Sequence, residues 1–195
     1  MARARKLFPS YGSALAHHVL ALLERERMVA KFVSAYVERY DRKGILGGIP
    51  RNRELAETIG REIVLATIVE VREVLPRFFG KKRADSLKPE ERETVEAFLG
   101  EMVAALGRAW NWSEEDEREF QRDLKLYTDF AAKGAIKQKR HASRQQEEPP
   151  FVARVALLLD ASVLEKSRRA SAKFYLEVGS FAQNALRQTL NPEDN

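Results

Sequence analysis

Apolar residues recur along this chain at helical spacing in four successive segments, and a fifth stretch comes after them. Between Tyr11 and Arg42, Leu15, Val19, Leu22, Val29, Val33, Tyr36 and Tyr40 fall three, four or seven residues apart, which lines one face of a helix. Gly44, Gly47, Gly48 and Pro50 then end it, because glycine accepts the left-handed cap and proline cannot continue the ladder. The second segment, Arg51 to Phe79, holds a β-branched run, Ile63 to Val71, whose composition alone suits a buried strand. Good helix formers flank the run on both sides. It therefore predicts a central helix, wetted along one narrow stripe and kinked or ended by Pro76.

The third segment starts near Ser86 as cap, with Pro89, Glu90 and Glu91 in a first turn where the helix dipole favours acids. Val95, Phe98, Leu99, Met102, Val103, Leu106 and Trp110 form its apolar face. The fourth opens on Ser113-Glu114-Glu115-Asp116, which approximates a capping box, and carries the stripe Phe120, Leu124, Tyr127, Ala131 and Gly134. From Lys137 to Pro150 the pattern gives way to polar residues and paired prolines. Phe151 to Leu190 then reads as one long helix, or two broken around Lys166 to Lys173, with Phe174, Val178, Phe181 and Ala185 in register. The expected architecture is an all-α bundle of about five helices. Residues 10–138 form its core, 139–150 a linker, and 151–190 a C-terminal helical segment packed on the same core.

Composition narrows the picture in two ways. A chain of 195 residues buries enough surface to fold without a staple, and it contains no cysteine. That removes disulfide scaffolds, thiolate zinc sites and cysteine nucleophiles, and fits a reducing compartment. The apolar runs fall short of the ~20 residues of a membrane span. A cytoplasmic protein with no membrane partner is expected.

Candidate chemistry is sparse. Di-iron bundles need Glu-x-x-His pairs on one helix face, but Ala14, Leu15 and Gln138 stand three residues before His17, His18 and His141. Adjacent His17 and His18 diverge by about 100° on a helix and do not share a metal. His141 lies among Lys139, Arg140 and Arg144 as part of a charged loop. The acid pairs Glu70 with Glu73 and Glu114 with Glu117 read as solvated helix faces. Gly44 to Gly48 lacks the strand and the Gly-Lys-Ser/Thr ending of a phosphate loop. Arg168-Arg169-Ala170-Ser171 matches a short basic-directed kinase pattern. No catalytic residue, metal or cofactor is implied, and a non-enzymatic role is expected.

Charge supplies the functional expectation. The formal net charge is +5, and cations gather in three runs. These are Arg3, Arg5 and Lys6; Arg77, Lys81, Lys82 and Arg83; and Lys133, Lys137, Lys139, Arg140 and Arg144, the last without an acid between Asp129 and Glu147. Each lies at a helix end or outside a helix, where long cationic side chains reach phosphates. Cations also complement helix C-termini, which accounts for part of the pattern without any ligand. The expectation is a non-catalytic, nucleic-acid-associated protein, a regulator or accessory subunit of a nucleoprotein complex with DNA or RNA as partner. The alternative is a helical adaptor or scaffold that docks a protein partner or a second copy of itself.

Two stretches resemble DNA-binding motifs. Arg53-Glu54-Leu55-Ala56-Glu57-Thr58-Ile59-Gly60 resembles the first helix and turn of a helix-turn-helix, which would imply that the next helix reads bases; Arg61 departs from the motif, and Ile63 to Val71 is too apolar for a recognition helix. Arg154 to Leu190 is similar to a ribbon-helix-helix domain. Val155, Leu157 and Leu159 would alternate along a strand, and Asp160 to Glu165 would open a helix. That resemblance would imply a dimer laying a two-stranded ribbon in the major groove. It lacks a turn glycine near Tyr175, and it has Ala156 and Leu158 on the reading face.

Overall fold

A computed structural model describes residues 7–32, 53–82, 84–137, 148–159 and 164–190, except the side chains of 25, 26, 53–56, 133–137, 159, 164 and 165. Among the described residues the fold is all helix, with no strand. Six α-helices carry it: α1 (Ser10–Glu26), α2 (Arg53–Val74), α3 (Pro89–Trp110), α4 (Glu114–Lys137), α5 (Pro150–Leu159) and α6 (Leu164–Leu190).

The β-branched run is helical and sits at the centre. Every residue from Glu62 to Val69 is buried, so that stretch of α2 is enclosed, and the helix meets solvent nearer its ends, at Glu57, Arg61, Glu70, Arg72 and Glu73. This enclosure overrides the strand propensity of its isoleucines and valines, since a helix satisfies its own backbone in a place without water. α2 packs against α3, α4, α5 and α6, while the outer helices meet in the order α3, α1, α6, α5, α4. Burying each large side chain, among them Phe98, Phe120 and Phe151, contributes roughly 1.5–3 kcal/mol.

Several boundaries differ from expectation, each for a local reason. The first segment breaks at Arg27, whose φ of 48° is left-handed and whose amide closes on the Glu24 carbonyl at 3.1 Å. Residues 28–32 resume the helix and deliver Phe32 onto Phe174, rings stacked 4.0 Å apart. Pro76 does end α2, within a 3-10 turn at Leu75–Phe79 that Gly80 closes with φ 69°. Ser86 is not the cap of α3; its hydroxyl donates to Asp85 within a separate short turn, Ala84–Ser86. The helix starts at Pro89, and the Glu91 carboxyl accepts from the Lys88 amide at 2.8 Å. Trp110, expected in the core, is partly exposed at the C-terminal end of α3.

The Ser113 box forms as its sequence predicts. Asp116 Oδ2 accepts from the Ser113 amide at 2.9 Å, and Ser113 Oγ accepts from the Asp116 amide at 3.2 Å. The Ser113 hydroxyl, donating to Asp116 Oδ2 at 2.6 Å, and then the Ser113 amide hold the Asp116 carboxyl below the usual carboxylate range. α1 and α3 pack closest at Gly12, where a methyl group would overlap the Phe98 carbonyl oxygen.

Both DNA-motif resemblances are overturned. α2 runs straight through Gly60, so no turn separates two helices there. Val155 and Leu157 lie in helix α5 rather than in a strand. The glycines and proline of 44–50 lie outside the described residues.

Candidate functional site

Of the cations named from sequence, the structure describes the side chains of Arg77, Lys81 and Lys82. Arg77 and Lys82 are exposed on the connection between α2 and α3, and Lys81 beside them is half-buried. Lys133 and Lys137 lie in the last turns of α4, with side chains outside the described set. Arg3, Arg5, Lys6, Arg83, Lys139, Arg140 and Arg144 also lie outside the described residues. Of the histidines, His17 is exposed and His18 half-buried. No group of three or more metal-binding side chains occurs among the described residues, and none of their helices is long and apolar enough to cross a membrane.

A cationic face that sequence reasoning missed lies on α6. The stretch from Lys166 to Lys173 reads as a break in sequence because it holds no large apolar residue. In the structure it is continuous helix, and its core-facing positions are serines: Ser167 and Ser171 are fully buried. Lys166, Arg168, Arg169 and Lys173 are all exposed, with no acid between Glu165 and Glu177. At about 100° per residue, Lys166, Arg169 and Lys173 share a stripe roughly 60° wide, and Arg168 stands about 100° round the helix from Arg169. There Arg168 Nε lies 3.1 Å from Glu148 Oε2, just ahead of α5. The kinase-like pattern leads nowhere, since Ser171 is inaccessible.

Local helix energetics account for part of this face, since Glu165 and Glu177 stand four residues from Arg169 and Lys173. Arg72, Arg108 and Arg187 sit in last turns, where the dipole welcomes cations. Lys166 sits in the first turn of α6, where the dipole disfavours them. Like charges three and four residues apart, as in Lys166–Arg169–Lys173, each oppose the helix by roughly 0.2–0.5 kcal/mol.

A second polar cluster lies inside the bundle, also unforeseen. Glu62 on α2 and Asp123 on α4 are each only 5% exposed. Arg154 on α5 bridges them, with Nη1 3.2 Å from Glu62 Oε1 and Nη2 2.7 Å from Asp123 Oδ1. Arg61 adds contacts to Asp123 Oδ2 at 3.2 Å and Glu119 Oε1 at 3.4 Å, with its guanidinium 5.8 Å from the Phe120 ring centre. The Tyr127 hydroxyl donates to Glu62 Oε2.

The titration of this cluster comes from its geometry. Burial alone pushes the Asp123 carboxyl up, but the hydrogen bond and charge of Arg154, with Arg61 and Arg122, outweigh it and hold the group below the usual range. Burial and then the charge of Glu62 push the Tyr127 phenol far up. Two arginines face two buried acids, so the cluster is neutral by pairing. That arrangement suits a brace across three helices. Sequence did carry one signal: Glu62, Asp123 and Arg154 all fall on otherwise apolar helix faces.

Where α3 and α4 stand apart, a cleft of about 310 Å³ opens onto α2. Its floor is Ile68, Val69, Leu99 and Val103, and Arg72 pairs with Glu96 at 2.6 Å along its rim. The floor residues are already at most 7% exposed, so the cleft is shallow and an occupant would gain little by covering them.

Fold and clusters together define an all-α helical bundle with an internal ionic brace and a one-sided cationic helix. Compared with family models, with curated proteins and with solved structures, the chain shows no significant match in any of the three.

Proposed function

We propose that the protein is a non-catalytic, nucleic-acid-associated binding protein, an accessory or regulatory subunit that meets phosphates through the N-terminal half of α6. The observation that carries this reading is the cationic face from Lys166 to Lys173, which is exposed and is set against both the helix dipole and its own like charges. Four exposed cations within eight residues present a run of positive charge that suits a polyanion. Phosphates fit because lysine and arginine on a rigid helix neutralise them without reading bases. Arg77 and Lys82 offer a secondary contact. A chain without cysteine suits a reducing compartment, which favours the cytoplasm.

The test is fluorescence anisotropy with a labelled duplex of about 20 base pairs at about 50 mM salt. Wild-type protein binds, and Lys166→Glu with Lys173→Glu weakens binding at least ten-fold while the dichroism spectrum stays unchanged. Wild-type protein without affinity for DNA or RNA sinks the reading. One observation favours the adaptor as second reading: Leu176 is 72% exposed in the middle of the same helix, and Leu157 on α5 is 59% exposed. Self-association or partner capture that ignores salt would support it instead.

A further inference from the structure

We infer, resting on the phosphate-binding reading above, that Arg27 and Lys31 form a second cationic wall beside α6, so that the surface offered to a duplex spans two elements. Phe32 stacks on Phe174 with ring centres 4.0 Å apart and planes 5° from parallel, so the turn after Arg27 lies against α6. The neighbours of the Phe174 ring tell which flank of α6 that turn meets. Phe151 of α5 touches both Phe174 and Tyr175, at 5.9 and 5.5 Å, so α5 lies on the Tyr175 side. Among the outer helices α6 stands between α5 and α1, so the chain of α1 and residues 28–32 borders the other flank. Lys173 stands on that other flank, about 100° round from Phe174 and away from Tyr175, and Lys166 and Arg169 share its stripe.

The local backbone sets the two new cations one turn apart. Arg27 is left-handed, with φ 48°, which breaks α1 and redirects the chain. The Lys31 amide then closes on the Arg27 carbonyl at 2.8 Å, so the two residues are neighbours along one side of that turn. Both side chains are exposed, while Met28 and Phe32 are buried and anchor the turn to the core. Neither cation forms an ion pair among the described residues. With Lys166, Arg169 and Lys173 they make five exposed cations on two adjoining elements. Among the described side chains, the acids nearest to them in the chain are Glu24 and Glu177. Such a surplus fits a phosphate backbone, which presents its charges in a row, better than it fits a single anion.

The experiment measures binding of the full-length chain to the same labelled duplex across a salt series, for wild type, Lys31→Gln, Arg27→Gly, Lys166→Gln and Lys125→Gln. Lys125 is an exposed cation on α4, which is not a neighbour of α6 among the outer helices, and it reports the effect of removing one positive charge anywhere. The second wall requires Lys31→Gln to weaken binding about three- to five-fold and to flatten the salt slope by about 0.9, the value of one phosphate contact, as Lys166→Gln does. Lys125→Gln leaves the slope unchanged. Arg27→Gly flattens the slope by the same amount without lowering the melting midpoint, because glycine is the usual residue at a left-handed helix end. Lost affinity in that variant therefore belongs to the guanidinium and not to the fold. Equal slope losses from Lys31→Gln and Lys125→Gln mean net charge alone and overturn the second wall. An unchanged slope in Lys31→Gln and Arg27→Gly, with a flattened one in Lys166→Gln, overturns the wall and leaves the α6 reading standing. No binding by wild type overturns both.

Discussion

Arg154 and Asp123 meet across the α4–α5 interface, 2.7 Å between Nη2 and Oδ1, and the same guanidinium reaches Glu62 on α2 at 3.2 Å. One side chain thus ties the segment after residue 148 to two helices of the preceding core. Removing one partner of a buried pair costs far more than the pair contributes, because a charge is left in a dry place.

Asp123→Ala therefore destabilises the protein by about 2 kcal/mol, discounted from the roughly 3–5 kcal/mol of a fully buried pair because Arg154 keeps a third of its side chain in water. Arg118→Ala removes an exposed pair with Glu114 and changes stability by less than about 0.5 kcal/mol. Urea denaturation of both variants checks the contrast. Equal losses would mean that the internal cluster is not a brace.

Acid unfolding depends on the same group. Asp123 titrates below its ordinary value of about 3.8 in the folded protein, so the folded state binds its proton more weakly than the unfolded state. Its contribution is present above that value and is lost as pH falls through the folded pKa. Between about pH 5 and pH 2, wild-type stability should fall more steeply than that of Asp123→Asn. Parallel curves would show that other acids control the acid limb.

How much of this is legible in the sequence varies by element. The helical class, the Ser113 box, the Pro76 stop and most of the core faces come from local rules, and each of those signals acts within four or five residues. The α6 face does not, because Ser167 and Ser171 fill core positions where periodicity leads one to expect leucine. The brace is hidden for another reason. Glu62 and Asp123 are 92 and 31 residues away from Arg154, and only packing brings them together. The break at Arg27 carries no glycine or proline, so nothing local announces it.

Two glycines within helices should respond in opposite directions. Gly12 faces the Phe98 backbone with no room for a methyl group, so Gly12→Ala forces α1 and α3 apart and costs about 1–3 kcal/mol. Gly100 lines the α3–α4 cleft, where a β-carbon would meet nothing within 4 Å, so Gly100→Ala gains up to about 1 kcal/mol from helix propensity. Thermal melts decide it, and a destabilised Gly100→Ala would mean that α3 needs that glycine for something the close contacts do not reveal.

The character of the nucleic acid can be tested on α6 itself. Lys166 to Lys173 spans about 10 Å along the helix axis, and its cations offer phosphate contacts only. Single-strand binders draw much of their affinity from bases stacked on exposed aromatic rings. Phe174 is 4% exposed and Tyr175 is half-buried, so this face has no such platform. A duplex presents the denser row of phosphates. A duplex of about 20 base pairs should therefore bind several-fold more tightly than a single strand of equal length, with little dependence on sequence. Replacing Lys166 and Lys173 by glutamine should flatten the salt slope by about 1.8, or about 0.9 for each phosphate no longer neutralised. Tighter binding of the single strand, or a slope unchanged by the two substitutions, would place the contact somewhere other than this helix.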